Sequence, residues 1–132
     1  MTRHQVLRTT AGVAAGLLAW IITATVFNLL VRAAVPGYRE TEPGMNFTFA
    51  MQVCRLLTSA AASIACGLVA ASVARGSRIA PLLSGLLLLM LFIPVHVSLW
   101  ARFPAWYHLT FLASLPLLPM LAARAKGRPA AA

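Results

Sequence analysis

The sequence predicts an all-α membrane protein: a four-transmembrane-helix, up-down-up-down bundle with both termini cytoplasmic (N-in/C-in). Three observations predict it. The chain holds four apolar runs, each near the about 20 residues that a helix needs to cross the hydrocarbon core. Of its 132 residues 61% are hydrophobic and 10% charged, whereas a soluble domain is usually about 45–50% apolar and about 25% charged. The mean hydropathy is +0.85. The basic residues, finally, stand between the runs and favour one side. Arg3, Arg8, Arg75, Arg78, Arg124, Lys126 and Arg128 share that side, against Arg32, Arg39, Arg102 and Arg55 on or near the other. By the positive-inside rule the richer side is cytoplasmic. One integral membrane domain over residues 1–132 is expected, with spans at about 11–33, 48–74, 79–101 and 104–123 and a basic disordered tail at 124–132.

The first span follows Arg3 and Arg8. It is longer than the apolar core of a signal peptide and lacks a small-x-small cleavage site, so it reads as a retained span. Gly12 and Gly16 form a small-xxx-small pair that lets a second helix approach. Trp20 falls near mid-membrane, away from the interface, and is expected to pack against protein. Thr25, Asn28 and Arg32 share one helical face. Pro36-Gly37 ends the helix.

The loop that follows carries Tyr38, Arg39 and the only two acidic residues, Glu40 and Glu42. Asn46-Phe47-Thr48 matches a glycosylation sequon, a match that chance produces often; the Ala/Leu/Arg-rich composition reads as bacterial, placing the chain in a cytoplasmic membrane.

The second span is rich in small residues at helical spacing. Ser59, Ser63, Gly67 and Ala71 recur every four positions, as do Ala62, Cys66, Ala70 and Ala74. Helices in lipid associate through close backbone packing, so this span is expected to be the central one. Cys54 and Cys66 are about 18 Å apart on one helix, too far for a disulfide.

The third and fourth spans form a hairpin around Trp100-Ala101-Arg102-Phe103-Pro104. Pro81 sits in a first turn, where a missing N–H costs least. Pro94 is expected to kink the third span, and Pro116 and Pro119 to bend or unwind the end of the fourth. Trp100, Phe103, Trp106 and Tyr107 make an aromatic belt.

Polar and ionisable groups inside spans are costly and often functional. They gather here toward the outer leaflet: Asn28, Arg32, Arg55, His96 and His108, beneath Glu40 and Glu42. Arg55 has three readings: snorkelling to the headgroups, an ion pair with Glu40 or Glu42, or a ligand-binding role. His96 and His108 are nearly equidistant from Arg102 and would lie at similar depth. They suit either a haem or metal site, with Cys54, Met51 and Met45 as soft ligands, or a plain structural pattern. In the latter His96 bonds a carbonyl freed by Pro94 or a polar neighbour, and His108 joins the interfacial belt. Two histidines fall short of the three or four ligands of a closed metal site, so no metal and no cofactor are expected.

The net charge of +9 does not point to nucleic acid, because the arginines form no stripe and no binding motif is present. There is no aspartate, no nucleophile motif, no phosphate loop and no CxxC, and no enzyme is expected. The leading expectation is a non-enzymatic accessory, assembly or interaction subunit in the lipid bilayer, as a homo-oligomer or with a membrane-complex partner. The second is a small transporter or channel with its polar site in the outer half, at Arg55, His96 and Glu40/Glu42. The third is a haem- or metal-binding electron carrier.

Overall fold

The computed structural model describes residues 1–127. Four helices long and apolar enough to span a membrane make up most of it: α1 (Arg3–Ala34), α3 (Phe49–Val73), α4 (Ile79–Ser98) and α5 (Ala105–Lys126). A one-turn helix, α2 (Tyr38–Thr41), lies in the first connection, and a 3-10 turn (Trp100–Arg102) in the last. The long helices leave large apolar side chains exposed on their outer faces, among them Leu18, Ile22, Leu57, Met90, Leu91 and Leu109. A water-facing surface of this kind would be unstable, so the chain reads as a multi-pass membrane protein.

α1 begins eight residues before the expected span, because Thr2 and Gln5 close a capping box at its start and satisfy donors that the first turn leaves free. It runs about 48 Å at 1.5 Å per residue. It stops where Val35 turns extended ahead of Pro36, the conformation a following proline imposes. α3 starts at Thr48, whose hydroxyl accepts from the Met51 N–H at 3.3 Å. The threonine of the sequon is thus a helix cap.

The two small-residue rows of α3 are buried in full. Against the alanine row lies α1: a Cβ on Gly12 would stand 2.8 Å from the Ala70 carbonyl, and one on Gly16 would stand 2.9 Å from the Ala70 Cβ. Against Gly67 of the serine-glycine row lies α5, whose backbone at Pro119 occupies the space a side chain there would need, while Ser63 of that row accepts from Trp20 of α1. α3 therefore has close neighbours on both sides, and small residues are what permits it.

Partner numbers fall along α3 as they rise along α1, from Ala70 and Ala74 at Gly12 to Ser63 at Trp20. They fall likewise along α5 as they rise along α4, from Leu115 at Gly85 to His108 at His96. Each of these pairs runs antiparallel.

Pro94 lies within an uninterrupted α4, and Pro116 and Pro119 within an uninterrupted α5. Unwinding at the end of the fourth span does not occur. The backbone beside Pro116 and Pro119 is instead what meets Gly85 and Gly67. The expected tail is corrected in part as well: residues 124–126 continue α5, so Arg124 and Lys126 stand on its last turn, where basic groups offset the helix dipole. The remainder of the 124–132 tail, from Arg128 on, lies outside the described residues.

Candidate functional site

The two loops bearing Glu42 and Arg102 meet at one end of the bundle, where Arg102 donates to the Gly44 carbonyl at 3.1 Å. Beneath that junction an aromatic layer forms. Tyr38 packs on Phe47 at 5.2 Å, Phe47 stacks on Phe103 at 6.0 Å, and Phe103 stacks on Tyr107 at 4.8 Å. Tyr38 is fully buried although it belongs to the connection.

Arg55 reaches into this layer. Its Nε donates to the Tyr107 hydroxyl at 3.1 Å and its Nη1 to the Tyr38 hydroxyl at 3.0 Å. The guanidinium carbon lies 4.7 Å from the centre of the Phe47 ring, a cation–π distance. The ion pair with Glu40 or Glu42, one of the three readings, is not made. Glu42 pairs instead with Arg32 at 2.9 Å, the one ion pair among the described residues, and Glu40 is exposed. Arg55 does not snorkel free either: its neighbours are two tyrosines and a phenylalanine of its own chain.

His96 and His108 face each other with their Nδ1 atoms 2.7 Å apart. A bond between two Nδ1 atoms requires one ring to hold its proton there and the other ring to accept. His108 is fully buried and stacked under Trp100 at 4.7 Å. It does not face water, and its Nε2 finds no partner among the described residues. His96 is buried too, between Phe111 at 4.5 Å and Tyr107 at 6.0 Å. The two histidines do lie at one level, and His96 bonds a polar neighbour and not the backbone near Pro94. Two nitrogens bound to one tetrahedral metal ion at about 2 Å stand about 3.3 Å apart, and further apart when they lie on opposite sides, so this spacing is that of a hydrogen bond. No group of three or more His, Cys, Asp or Glu residues placed to hold a metal exists among the described residues.

A cleft of about 330 Å³ opens between α1 and α3. Gly12 and Gly16 hold the two helices together at one end; beyond them Trp20 lies across the seam, donating to the Ser63 hydroxyl at 3.2 Å and packing on Phe92 at 5.2 Å. From Trp20 onward Thr25, Asn28 and Arg32 line one wall, and Arg55, Thr58 and Ser59 the other, with Phe92 and Phe111 among the apolar lining. A second, smaller cavity of about 50 Å³ is bounded by Arg55, His96, Tyr107 and His108, and shares Arg55, Phe92 and Phe111 with the cleft. Its volume admits water, which needs about 10–15 Å³ for its centre.

The structure thus brings Asn28, Arg32 and Arg55 to one cleft and Arg55, His96 and His108 to one cavity, and leaves Glu40 outside both. Glu42 takes part only through Arg32. Of the packing residues, Gly12, Gly16, Ser63, Gly67 and Ala71 lie buried between helices, whereas buried Ser59 also lines the cleft. Sequence reasoning missed Tyr38 and Tyr107 as partners of Arg55. Comparison with protein-family models, with curated proteins and with solved structures finds no match.

Proposed function

We propose that this chain is a small, non-enzymatic four-span membrane protein that binds a ligand inside the membrane and serves as a carrier or binding subunit for it. Its topology on this reading is up-down-up-down with both termini cytoplasmic, in the inner membrane of a bacterium. The observation that carries the reading is Arg55: a cation at the junction of an open cleft and a smaller cavity, with no carboxylate beside it among the described residues. A charge held away from water without a partner is expensive, and such groups in membrane spans mark binding sites and pathways.

The small-residue faces that motivate an accessory or oligomeric subunit have a use inside the chain. Gly12, Gly16 and the alanine row join α1 to α3, and Gly67 joins α3 to α5. They offer no free surface to a partner, so ligand binding becomes the first reading.

Native mass spectrometry of the chain released from mild detergent tests it. A discrete small-molecule mass that is retained by the wild type and lost in Arg55→Gln supports the reading. A bare protein mass in both contradicts it.

A further inference from the structure

We infer that the cleft between α1 and α3 takes an anionic amphiphile, its oxyanion headgroup on Arg55 and its apolar tail along the aromatic wall. The inference rests on the ligand-binding reading above and names the ligand's chemistry.

The donors in the cleft decide the headgroup. A guanidinium carries five N–H groups; Arg55 spends one on Tyr107 and one on Tyr38, and both acceptors are neutral. The hydroxyls of Thr25 and Thr58 donate to the carbonyls of Ile21 and Cys54 on their own helices. The Ser59 hydroxyl, in a residue 3% exposed, has no partner among the described residues. Asn28 lines the same cleft and makes no side-chain bond among the described residues. The unspent donors are therefore those of Arg55, Asn28 and Ser59, with the Nη groups of Arg32, whose Nε alone is bonded to Glu42, on two facing helices. A group with a negative charge and several acceptor oxygens, a carboxylate or a phosphodiester, suits this set of donors and supplies Arg55 with a charge-assisted partner. Among the described residues no carboxylate does this, because Glu42 is held by Arg32 and Glu40 does not line the cleft.

The walls decide the rest of the ligand. Trp20, Leu29, Phe92 and Phe111 give the cleft apolar surface that an inorganic ion would leave uncovered, and about 330 Å³ exceeds what such an ion fills. The cleft runs beside residues 20–32 of α1 and 55–59 of α3, from the interior of two helices long and apolar enough to span to within two residues of the end of α1. On this reading its open side faces acyl chains along its apolar length and headgroups at its Arg32 end, and its occupant arrives from the lipid phase.

Trp20 is the built-in reporter, since it lines the cleft. In a Trp100→Phe/Trp106→Phe background it is the sole tryptophan. The full chain is placed in phosphatidylcholine vesicles with equal fractions of brominated phosphatidylglycerol, brominated stearate or brominated phosphatidylcholine, and quenching of Trp20 is read. The expected result is a preference of about tenfold for either anionic probe over the zwitterionic one, the factor that about 1.4 kcal/mol produces. That preference disappears in Arg55→Gln. Thr25→Phe, which fills the cleft from its exposed wall and leaves the charge in place, also abolishes it, and serves where Arg55→Gln does not fold. Equal quenching by all three probes overturns the inference, as does a preference that survives both variants. Relief of quenching by inorganic phosphate alone overturns the amphiphile and assigns the site to free oxyanions. Equal quenching beside an Arg55-dependent mass in the native spectrum discards the amphiphile and keeps ligand binding; equal quenching with a bare mass discards both.

Discussion

Replacing Tyr38 and Tyr107 by phenylalanine tests what holds Arg55. Each substitution removes one hydroxyl and keeps the ring, so the ring at 38 still packs on Phe47 and the ring at 107 still stacks on Phe103. Each hydroxyl accepts one bond from the guanidinium, at 3.0 Å and 3.1 Å. A hydrogen bond to a charged group contributes about 1.5–3 kcal/mol net. Arg55 is half-buried beside an open cleft, and water or a headgroup there offsets part of the loss. Each single variant should therefore lose about 1–1.5 kcal/mol, and the double variant about 2–3 kcal/mol. The double variant strands a cation. Adding Arg55→Met removes that cation, so the triple variant should recover about half of the loss or more, by the logic that a stranded buried charge costs more than an apolar replacement. Reversible unfolding in mixed detergent–SDS micelles, followed by circular dichroism, measures all four. Single variants within about 0.5 kcal/mol of wild type, the range of an uninvolved surface substitution, would refute the reasoning. So would a triple variant no more stable than the double.

Three further outcomes follow from the packing and the topology. Gly67→Ala places a methyl into the Pro119 backbone, which cannot move aside as a side chain would, and should destabilise by about 1–3 kcal/mol in the same unfolding assay. His96→Leu leaves the His108 Nδ1 unpartnered in addition to its Nε2; the single variant should cost about 1–3 kcal/mol, and the double His96→Leu/His108→Leu variant less than the sum of the singles. With both termini cytoplasmic, a cysteine at Ser77 or Gly127 in a Cys54→Ala/Cys66→Ala chain should resist an impermeant thiol reagent in intact cells, whereas one at Gly44 or Ala101 should react; the opposite labelling pattern would invert the topology.

What the sequence makes legible follows periodicity and depth. The four-residue spacing of small residues in α3 identifies both of its buried faces, since only a helix with two close neighbours profits from two such rows. Counting outward from Arg102 puts His96 and His108 at one level, and they meet there. Counting inward from the start of α3 puts Arg55 inside the span but does not name its partners. The snorkelling and carboxylate readings follow from depth and charge, while the tyrosines win by position. Tyr38 is carried under the loops by a one-turn helix that no periodic pattern announces, and Tyr107 reads as interfacial because aromatic residues near a span end usually belong there. A signal for Tyr107 does exist, in its place beside His108 on the hairpin whose depth the same counting gives. The start of α1 differs for another reason: the Thr2-x-x-Gln5 capping box is readable, but the apolar run alone does not extend to it. The cleft is not readable, because its lining comes from four helices and depends on how they pack.

Everything proposed for the cleft requires that Arg55 be bound by the chain's own tyrosines within the bundle. Solid-state NMR distance measurement in lipid vesicles addresses this directly, between ¹⁵N-labelled arginine side chains and the ¹³Cζ of tyrosine. Arg–Tyr dipolar contacts at hydrogen-bonding range are expected, vanishing in Arg55→Gln and weakening in each Tyr→Phe variant. An Arg55 signal with no tyrosine in reach, unchanged by either tyrosine substitution, would contradict the claim.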